Sequence, residues 1–462
     1  MMSVLAAFMV PHPPLIVPEV GKGEEEQIRE TSQAYEQAAE ELARLKPDTI
    51  VMTSPHSVMY ADYFHISPGR EAAGSFRRFG AGSVRFSERY DTDLVKRICN
   101  LAEAEGLPAG TLGERDTALD HGTMVPLYFI RKRYAEGKIV RIGLSGLPLT
   151  DHYRLGQIIA RAAEESGKRI VLIASGDLSH KLKEYGPYGF APEGPAYDSR
   201  IMDVMGRAAF GELFDFDENF CEQAAECGHR SFVILAGVFD GLRVRATVLS
   251  HQDVTGVGYG IAAFCPDGED PERHFLKAYQ EKTERACREK AEKSDAYVKL
   301  ARASVEAWVR DRRHLSVPDG LPEEMLTRRA GTFVSLHKNG QLRGCIGTIM
   351  ATRKNVAEEI LSNAVSACSR DPRFAPVTAG ELSSLEISVD VLGGLEPIDS
   401  PDKLDVRRYG VIVSHGAKRG LLLPNLDGVD SVEEQIRIAR QKGGIRESEP
   451  YSLDRFEVVR HY

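Results

Sequence analysis

Short apolar runs alternate with longer segments of helical spacing through the first 264 positions of the chain. Val4 to Val10 and Thr49 to Met52 are brief and apolar, which predicts buried strands. Gly21 and Gly23 interrupt the chain, and from Glu24 to Leu45 apolar and small residues recur at helical spacing, which predicts one helix. Thr92 to Glu105 reads as a helix stopped by Gly106, Ile139 to Leu144 as a strand, and Tyr153 to Ser166 as a helix with Gly167 at its C-cap. Arg169 to Ala174 reads as a strand that ends in Ser175-Gly176-Asp177. Ser199 to Arg207 and Cys221 to Leu235 read as helices, and Val244 to Ser250 and Gly258 to Phe264 as two more strands. This rhythm predicts an α/β fold, a mostly parallel sheet with flanking helices.

The pattern then changes. Residues 265–270 are turn-rich and acidic, and Arg273 to Glu292 is strongly charged with few large apolar residues. The chain therefore divides into a first domain at 1–266, a charged and partly helical linker at 267–293, and a second domain at 294–462. The second domain opens on a helix at Ser294 to Arg310 with Ser294 as N-cap. Its strands are Gly331 to His337, Gln341 to Gly347, Leu385 to Leu392, Gly410 to Ser414 and Gly420 to Leu423. Its helices lie near Asn355 to Cys368 and Ser431 to Lys442, so this domain is α+β.

Composition adds little to that picture but removes some alternatives. The 462 residues carry 42% hydrophobic and 27% charged side chains, an ordinary globular mixture, and a net charge of −9 without a large basic block. That charge argues against nucleic acid or an anionic membrane as the main partner. No apolar stretch reaches the ~20 residues a membrane helix needs. The N-terminus reads as mature sequence and not as a signal segment. Seven scattered cysteines without a CxxC pair fit reduced thiols and a cytoplasmic protein.

Four segments place polar residues at expected strand exits or loops: Pro11-His12-Pro13, Ser54-Pro55-His56-Ser57, Leu119-Asp120-His121-Gly122-Thr123 and Ser175-Gly176-Asp177-Leu178-Ser179-His180. If the strands before His12 and His56 are neighbours, two imidazoles meet at the edge where open α/β sheets bind ligands. Two imidazoles plus a carboxylate with open positions suit non-haem Fe(II) and also catalytic Zn(II). Glu226 is the candidate carboxylate, in Ala-Ala-Glu-Cys-Gly-His-Arg, and Cys227 beside it is a soft alternative. His121 and His180 then remain for proton transfer.

Together these segments resemble the class III extradiol ring-cleavage dioxygenases, and also the Memo proteins that share their fold. The resemblance covers roughly residues 3–264. It implies His12, His56 and Glu226 as ligands of Fe(II), His180 as acid/base, His121 as a second active-site histidine and Asp177 as a catalytic neighbour. It further implies an oxidoreductase that opens a small aromatic ring with O2. Memo-type sequences instead carry a cysteine in the Cys-Gly motif, here Cys227. A Zn(II) hydrolase or a non-catalytic binding protein stand as alternatives.

In the second domain, Arg343 and Cys345 have the same parity on one predicted strand, so a cation beside the thiol would favour a nucleophile. Asp371-Pro-Arg-Phe374 reads as a turn with an Asp–Arg pair, and His337, His415 and Asn425 as candidate partners of the thiol. Leu-Arg-Gly-Cys-Ile-Gly-Thr, Asp-Pro-Arg-Phe and Gly-Leu-Leu-Leu-Pro resemble the AMME chromosomal region family over nearly all of 295–462. The resemblance implies a radical-SAM pathway partner. The chain itself lacks a Cx3CxxC motif. The sequence leaves the oligomeric state open, a homo-oligomer being one alternative.

Overall fold

The computed structural model describes residues 3–115, 118–338, 340–426 and 428–462. It falls into two compact units, Met1–Tyr279 and Gln280–Tyr462.

The first unit is built on six strands: β1 (Val4–Val10), β2 (Thr49–Ser54), β3 (Lys138–Gly143), β4 (Ile170–Ser175), β5 (Leu242–Gln252) and β6 (Tyr259–Glu269). Their order is β3-β2-β4-β1-β6-β5. The first four are mutually parallel. β6 runs antiparallel to β1, and β5 antiparallel to β6, because a short loop rather than a helix joins the last two strands. Every residue of β2 and β4 is buried, as befits central parallel strands covered on both faces.

The helices are α1 (Arg29–Leu45), α2 (Thr92–Ala104), α3 (His121–Arg133), α4 (Leu149–Glu165), α5 (Glu193–Gly206), α6 (Glu218–Ala224) and α7 (His229–Gly237). The period of two along β1 sorts them. Ala6, Phe8 and Val10 share a core with α1 and α3, whereas Ala7 and Met9 share one with α2, α4 and α7.

Several elements of the first unit depart from the sequence expectation. The helix expected from Glu24 begins as a 3-10 turn and becomes α-helical only at Arg29, because Ile28 (φ −115°) turns into the core. The helix expected across 221–235 is two helices, α6 and α7, parted by Ala225 in the left-handed region (φ 53°). Helix α3 escaped notice because its buried residues, Gly122 to Leu127 with Phe129 and Ile130, leave no polar stripe to define a period. An antiparallel hairpin, Glu71–Phe76 with Ala81–Arg89, was likewise not predicted.

Residues 267–293, read as a charged and partly helical linker, carry regular structure. β6 runs to Glu269, a 3-10 turn follows at Pro271–Arg273, and α8 spans Phe275–Lys293. Helix α9 (Ala296–Asp311) is capped by Asp295, not Ser294: its carboxylate accepts from Tyr297 N (2.9 Å) and Val298 N (3.2 Å).

The second unit carries β7 (Thr332–Lys338), β8 (Gln341–Gly347), β9 (Leu385–Leu392), β10 (Glu396–Ile398), β11 (Tyr409–His415), β12 (Lys418–Leu422) and β13 (Ser452–His461). The main path is β8-β7-β9-β13-β11-β12, with β10 paired to β13. Helices α10 (Val356–Ser369) and α11 (Val432–Lys442) start at the caps Asn355 and Ser431. β13 was not predicted because its buried residues, Leu453 and Phe456, are three apart instead of two. No described helix is long and apolar enough to cross a membrane.

Candidate metal centre

The exits of β1, β2 and β4 meet at one edge of the first sheet. β4 lies between the other two strands, so His12 and His56 do not follow neighbouring strands as the sequence suggested. They converge nonetheless, above the exit of β4, with their Nε2 atoms 2.9 Å apart. His12 is buried (1% exposed) and His56 is solvent-reaching.

Ser175, the last residue of β4, sets the chemical state of His12. Its hydroxyl donates to Gly122 O at 2.6 Å, which uses its single proton. It must then accept from His12 Nδ1, 3.0 Å away. This arrangement puts the proton of neutral His12 on Nδ1 and leaves a lone pair on Nε2, aimed at His56. Such a partner on the far ring nitrogen is the usual support of a metal-binding imidazole.

Two glycines bring the third donor in. A Cβ on Gly176 would lie 2.1 Å from Gly228 Cα, so the β4 exit and the α6–α7 turn touch backbone to backbone. That contact carries Cys227 to the histidines, with Sγ 3.7 Å from His12 Nε2. Asp177 N donates to the same sulfur at 3.3 Å. Among the described residues, His12, His56 and Cys227 form one candidate metal-binding group, and Asp177, His180 and Cys227 a second. Within each group the donor atoms lie within 4.8 Å of one another.

Glu226 is not in either group. Its carboxylate accepts from His229 N at 2.6 Å and thereby caps α7. Adjacent residues along the α6–α7 turn point differently, and the sequence could not say which one entered the site.

The donor set fits a borderline or soft divalent ion, since imidazoles and a thiolate are ligands for Fe, Cu and Zn. Burial, reinforced by the imidazoles of His56 and His121, holds His12 well below the usual imidazole range. Burial also lowers His56, and burial together with His56 pulls His121 down to about 4. The imidazoles are thus neutral, as ligands must be. Burial, with Asp177 and Glu226 nearby, pushes the Cys227 thiol well above its ordinary value. A bound cation supplies the counter-charge that would release its proton.

The remaining expected residues surround this group. Asp177 accepts from His12 N at 2.7 Å, and its Oδ2 lies 3.8 Å from His12 Nε2 and 3.9 Å from His180 Nε2. Burial raises the Asp177 carboxyl above its usual range. His180 Nδ1 donates to Ala225 O, which leaves its Nε2 as the basic nitrogen facing Asp177. His121 stacks on His56, with ring centroids 4.0 Å apart. It opens α3 after its N-cap Asp120, whose carboxylate accepts hydrogen bonds from Thr123 N (3.0 Å) and Ser54 Oγ (2.6 Å). Buried Arg141 lies 3.6 Å from the same carboxylate. Exposed rings flank the group: Phe79 beside His121 (centroids 5.5 Å) and Tyr188 beside His180 (5.1 Å). Sequence reasoning gave no role to Ser175, Asp120, Arg141, Phe79 or Tyr188. Only Ser175 and Asp120 carried a signal, inside the motifs themselves.

Cys345 lies in the second unit and belongs to a different cluster. Arg343, expected beside it, is instead taken up by Glu381 (2.9 Å) and Ala375 O (2.9 Å). The Asp371–Arg373 pair forms as read, at 2.7 Å. His415 bonds to Pro450 O, and Asn425 N to Val406 O.

Comparison with known proteins separates the same two parts. The profile of the catalytic LigB subunit of aromatic ring-opening dioxygenase matches residues 6–262. The AMMECR1 profile matches residues 298–461. A Clostridium acetobutylicum protein, CA_C1420, is 40% identical over all of this chain and 99% of its own length. A Thermotoga maritima protein is 48% identical over 36% of this chain and 96% of its own. The crystal structure of the uncharacterized protein PH0010 from Pyrococcus horikoshii is 29% identical, with a TM-score of 0.33, over 36% of this chain and 88% of that one.

Proposed function

The chain belongs to the family of the catalytic LigB subunit of aromatic ring-opening dioxygenase, with an AMMECR1 domain behind it, and we propose that its first unit is a metal-dependent oxidoreductase using O2 on a small hydroxylated aromatic substrate. In this reading Fe(II) is held by His12, His56 and Cys227, with the thiolate standing where the sequence reading placed Glu226. The observation that carries it is the convergence of His12 Nε2, His56 Nε2 and Cys227 Sγ at the sheet edge. A redox-active ion held there would supply Lewis acidity and electron transfer to O2.

The chain's own groups supply binding and proton handling. Phe79 and Tyr188, exposed rings packed against His121 and His180, offer apolar surface beside the centre for an aromatic substrate. His121, neutral and stacked on His56, offers a hydrogen bond to a ring hydroxyl. Asp177 and His180 form the proton pair: burial favours the protonated carboxyl, and the basic Nε2 of His180 faces it. This pair takes a proton from the substrate hydroxyl and returns one to the product.

The thiol supports a second reading, a redox-active metal-holding site without turnover. One experiment separates the two. The full chain is loaded anaerobically with Fe(II), mixed with a catechol and exposed to O2. A yellow ring-opened product, together with loss of bound iron in His12→Ala, supports the oxidoreductase. Bound iron without product supports the second reading. No bound iron in the wild type defeats both.

A further inference from the structure

The first unit holds a second carboxylate–histidine pair that the metal centre does not use. Asp198, in α5, is buried (3% exposed), and His251, near the end of β5, reaches solvent. Asp198 Oδ2 accepts from His251 Nε2 at 3.1 Å, and its Oδ1 accepts from Ser179 N at 2.8 Å. A Cβ on Gly258 would lie 2.0 Å from Asp198 Oδ2, so only glycine there admits the carboxylate.

Ser179 lies between Asp177 and His180, in a segment that belongs to no helix or strand, so outside partners set its shape. Leu178 N donates to Gly258 O (2.9 Å), Gly258 N to Ser179 O (2.8 Å) and His180 N to Ala224 O (3.3 Å). Ser179 Oγ donates to the same Ala224 carbonyl at 2.8 Å. Of the three N–H groups from Leu178 to His180, that of Ser179 alone goes to a side chain, Asp198. A buried carboxylate is costly to desolvate, and an apolar residue would pack α5 on the sheet at less cost. What Asp198 adds is an acceptor at a fixed point. His251 holds the other oxygen, so the carboxylate cannot turn away. Burial raises the Asp198 carboxyl, with His251 and Ser179 N pulling it back.

We propose that Asp198 and His251 are positioning residues for His180. His251 orients the Asp198 carboxylate, and the carboxylate fixes Ser179 N. The segment so fixed delivers the His180 ring to Ala225 O, with its Nε2 facing Asp177. That His180 handles protons belongs to the proposed function; that the pair places its ring does not depend on it.

Imidazole nitrogen NMR of the metal-free, full-length chain tests the placement, with His180 assigned by the signal lost in His180→Gln. In the wild type, His180 should carry its proton on Nδ1, the nitrogen bonded to Ala225 O. His251→Leu, a change at the surface, should loosen that bond and move both ring nitrogens toward the averaged signals of a free imidazole. His251→Gln, whose amide N–H can still donate to Asp198, should restore most of the wild-type pattern. Asp198→Ala should act like His251→Leu. His152, bonded through Nδ1 to Pro148 O, should stay unchanged in all three variants and shows that they are folded. Where the wild type turns over a catechol, His251→Leu should keep its iron and lose kcat by up to about 10²-fold, the cost of misplacing a group by about 1 Å. A wild type without turnover but with the His180 response defeats the proposed function and supports the positioning pair. An Nε2–H tautomer at His180 in the wild type, a His180 signal indifferent to both His251→Leu and Asp198→Ala, or equal disturbance of His152 overturns the proposal.

Discussion

Glu226 and Cys227 are neighbours in the chain and serve different structures: the thiol lies 3.7 Å from His12 Nε2, while the carboxylate caps α7 through His229 N at 2.6 Å. The left-handed turn at Ala225 and the Gly176–Gly228 contact fix that division. A carboxylate and a thiolate give different metal chemistry, so under the proposed function this turn sets which donor faces the histidines.

The two side chains should therefore separate experimentally. Cys227→Ala is expected to lower affinity for Fe(II) by more than the ~10–100-fold that loss of an outer partner costs. Glu226→Ala is expected to keep metal stoichiometry and lose about 1 kcal/mol of stability with the helix cap. Elemental analysis after dialysis and thermal melts of both variants check this. Metal loss in Glu226→Ala with full retention in Cys227→Ala would restore the carboxylate as ligand.

Ser175 makes a prediction of its own. Its hydroxyl fixes the Nδ1–H tautomer of His12, so Ser175→Ala should weaken metal binding by about 10–100-fold although it touches no metal. Ser175→Thr, which keeps the hydroxyl, should recover most of it. Competition with a calibrated chelator reads the difference.

Much of this was legible in the sequence, and the failures have physical causes. His12 and His56 announced themselves through flanking prolines and preceding apolar runs. That β4 lies between their strands was not legible, because strand order depends on contacts far apart in the chain. The apolar spacing from Cys221 to Leu235 runs through the α6–α7 break, so hydrophobic pattern alone hid the turn that presents Cys227. Arg343 and Cys345 share strand parity, but parity does not reveal that Glu381 claims the guanidinium. The side chains that close the free side of that strand, Asp371 and Arg373, lie 26 and 28 residues away in the sequence.

A buried histidine outside the metal centre should govern stability in acid. His152 donates Nδ1–H to Pro148 O at 3.1 Å, and among the described residues its Nε2 makes no hydrogen bond within the usual geometry. Burial lowers it to about 3. In the unfolded chain it titrates near ~6.5. Below that pH the unfolded state binds a proton that the folded state refuses, so stability falls as pH drops from about 6.5 toward 3. Urea unfolding of metal-free protein across this range should show the decline, with a shallower slope in His152→Gln. An identical slope in that variant would assign the decline to other groups.

His180 and Asp177 carry the last prediction, because they separate turnover from metal binding. His180 Nε2 stands 3.9 Å from Asp177 Oδ2, and its other nitrogen is committed to Ala225 O. His180→Gln keeps a hydrogen-bonding side chain there but cannot shuttle a proton. If the pair handles protons, this variant should retain iron and lose turnover by about 10²–10⁴-fold, the usual worth of a positioned acid/base. Asp177→Asn should lose comparable turnover, and because its amide oxygen can still accept from His12 N, it should keep His12 in place. Steady-state rates against pH decide the point: in both variants the limb assigned to the pair should flatten. Should His180→Gln lose iron in proportion to activity, His180 would be a ligand of the ion, within the second donor group with Asp177 and Cys227.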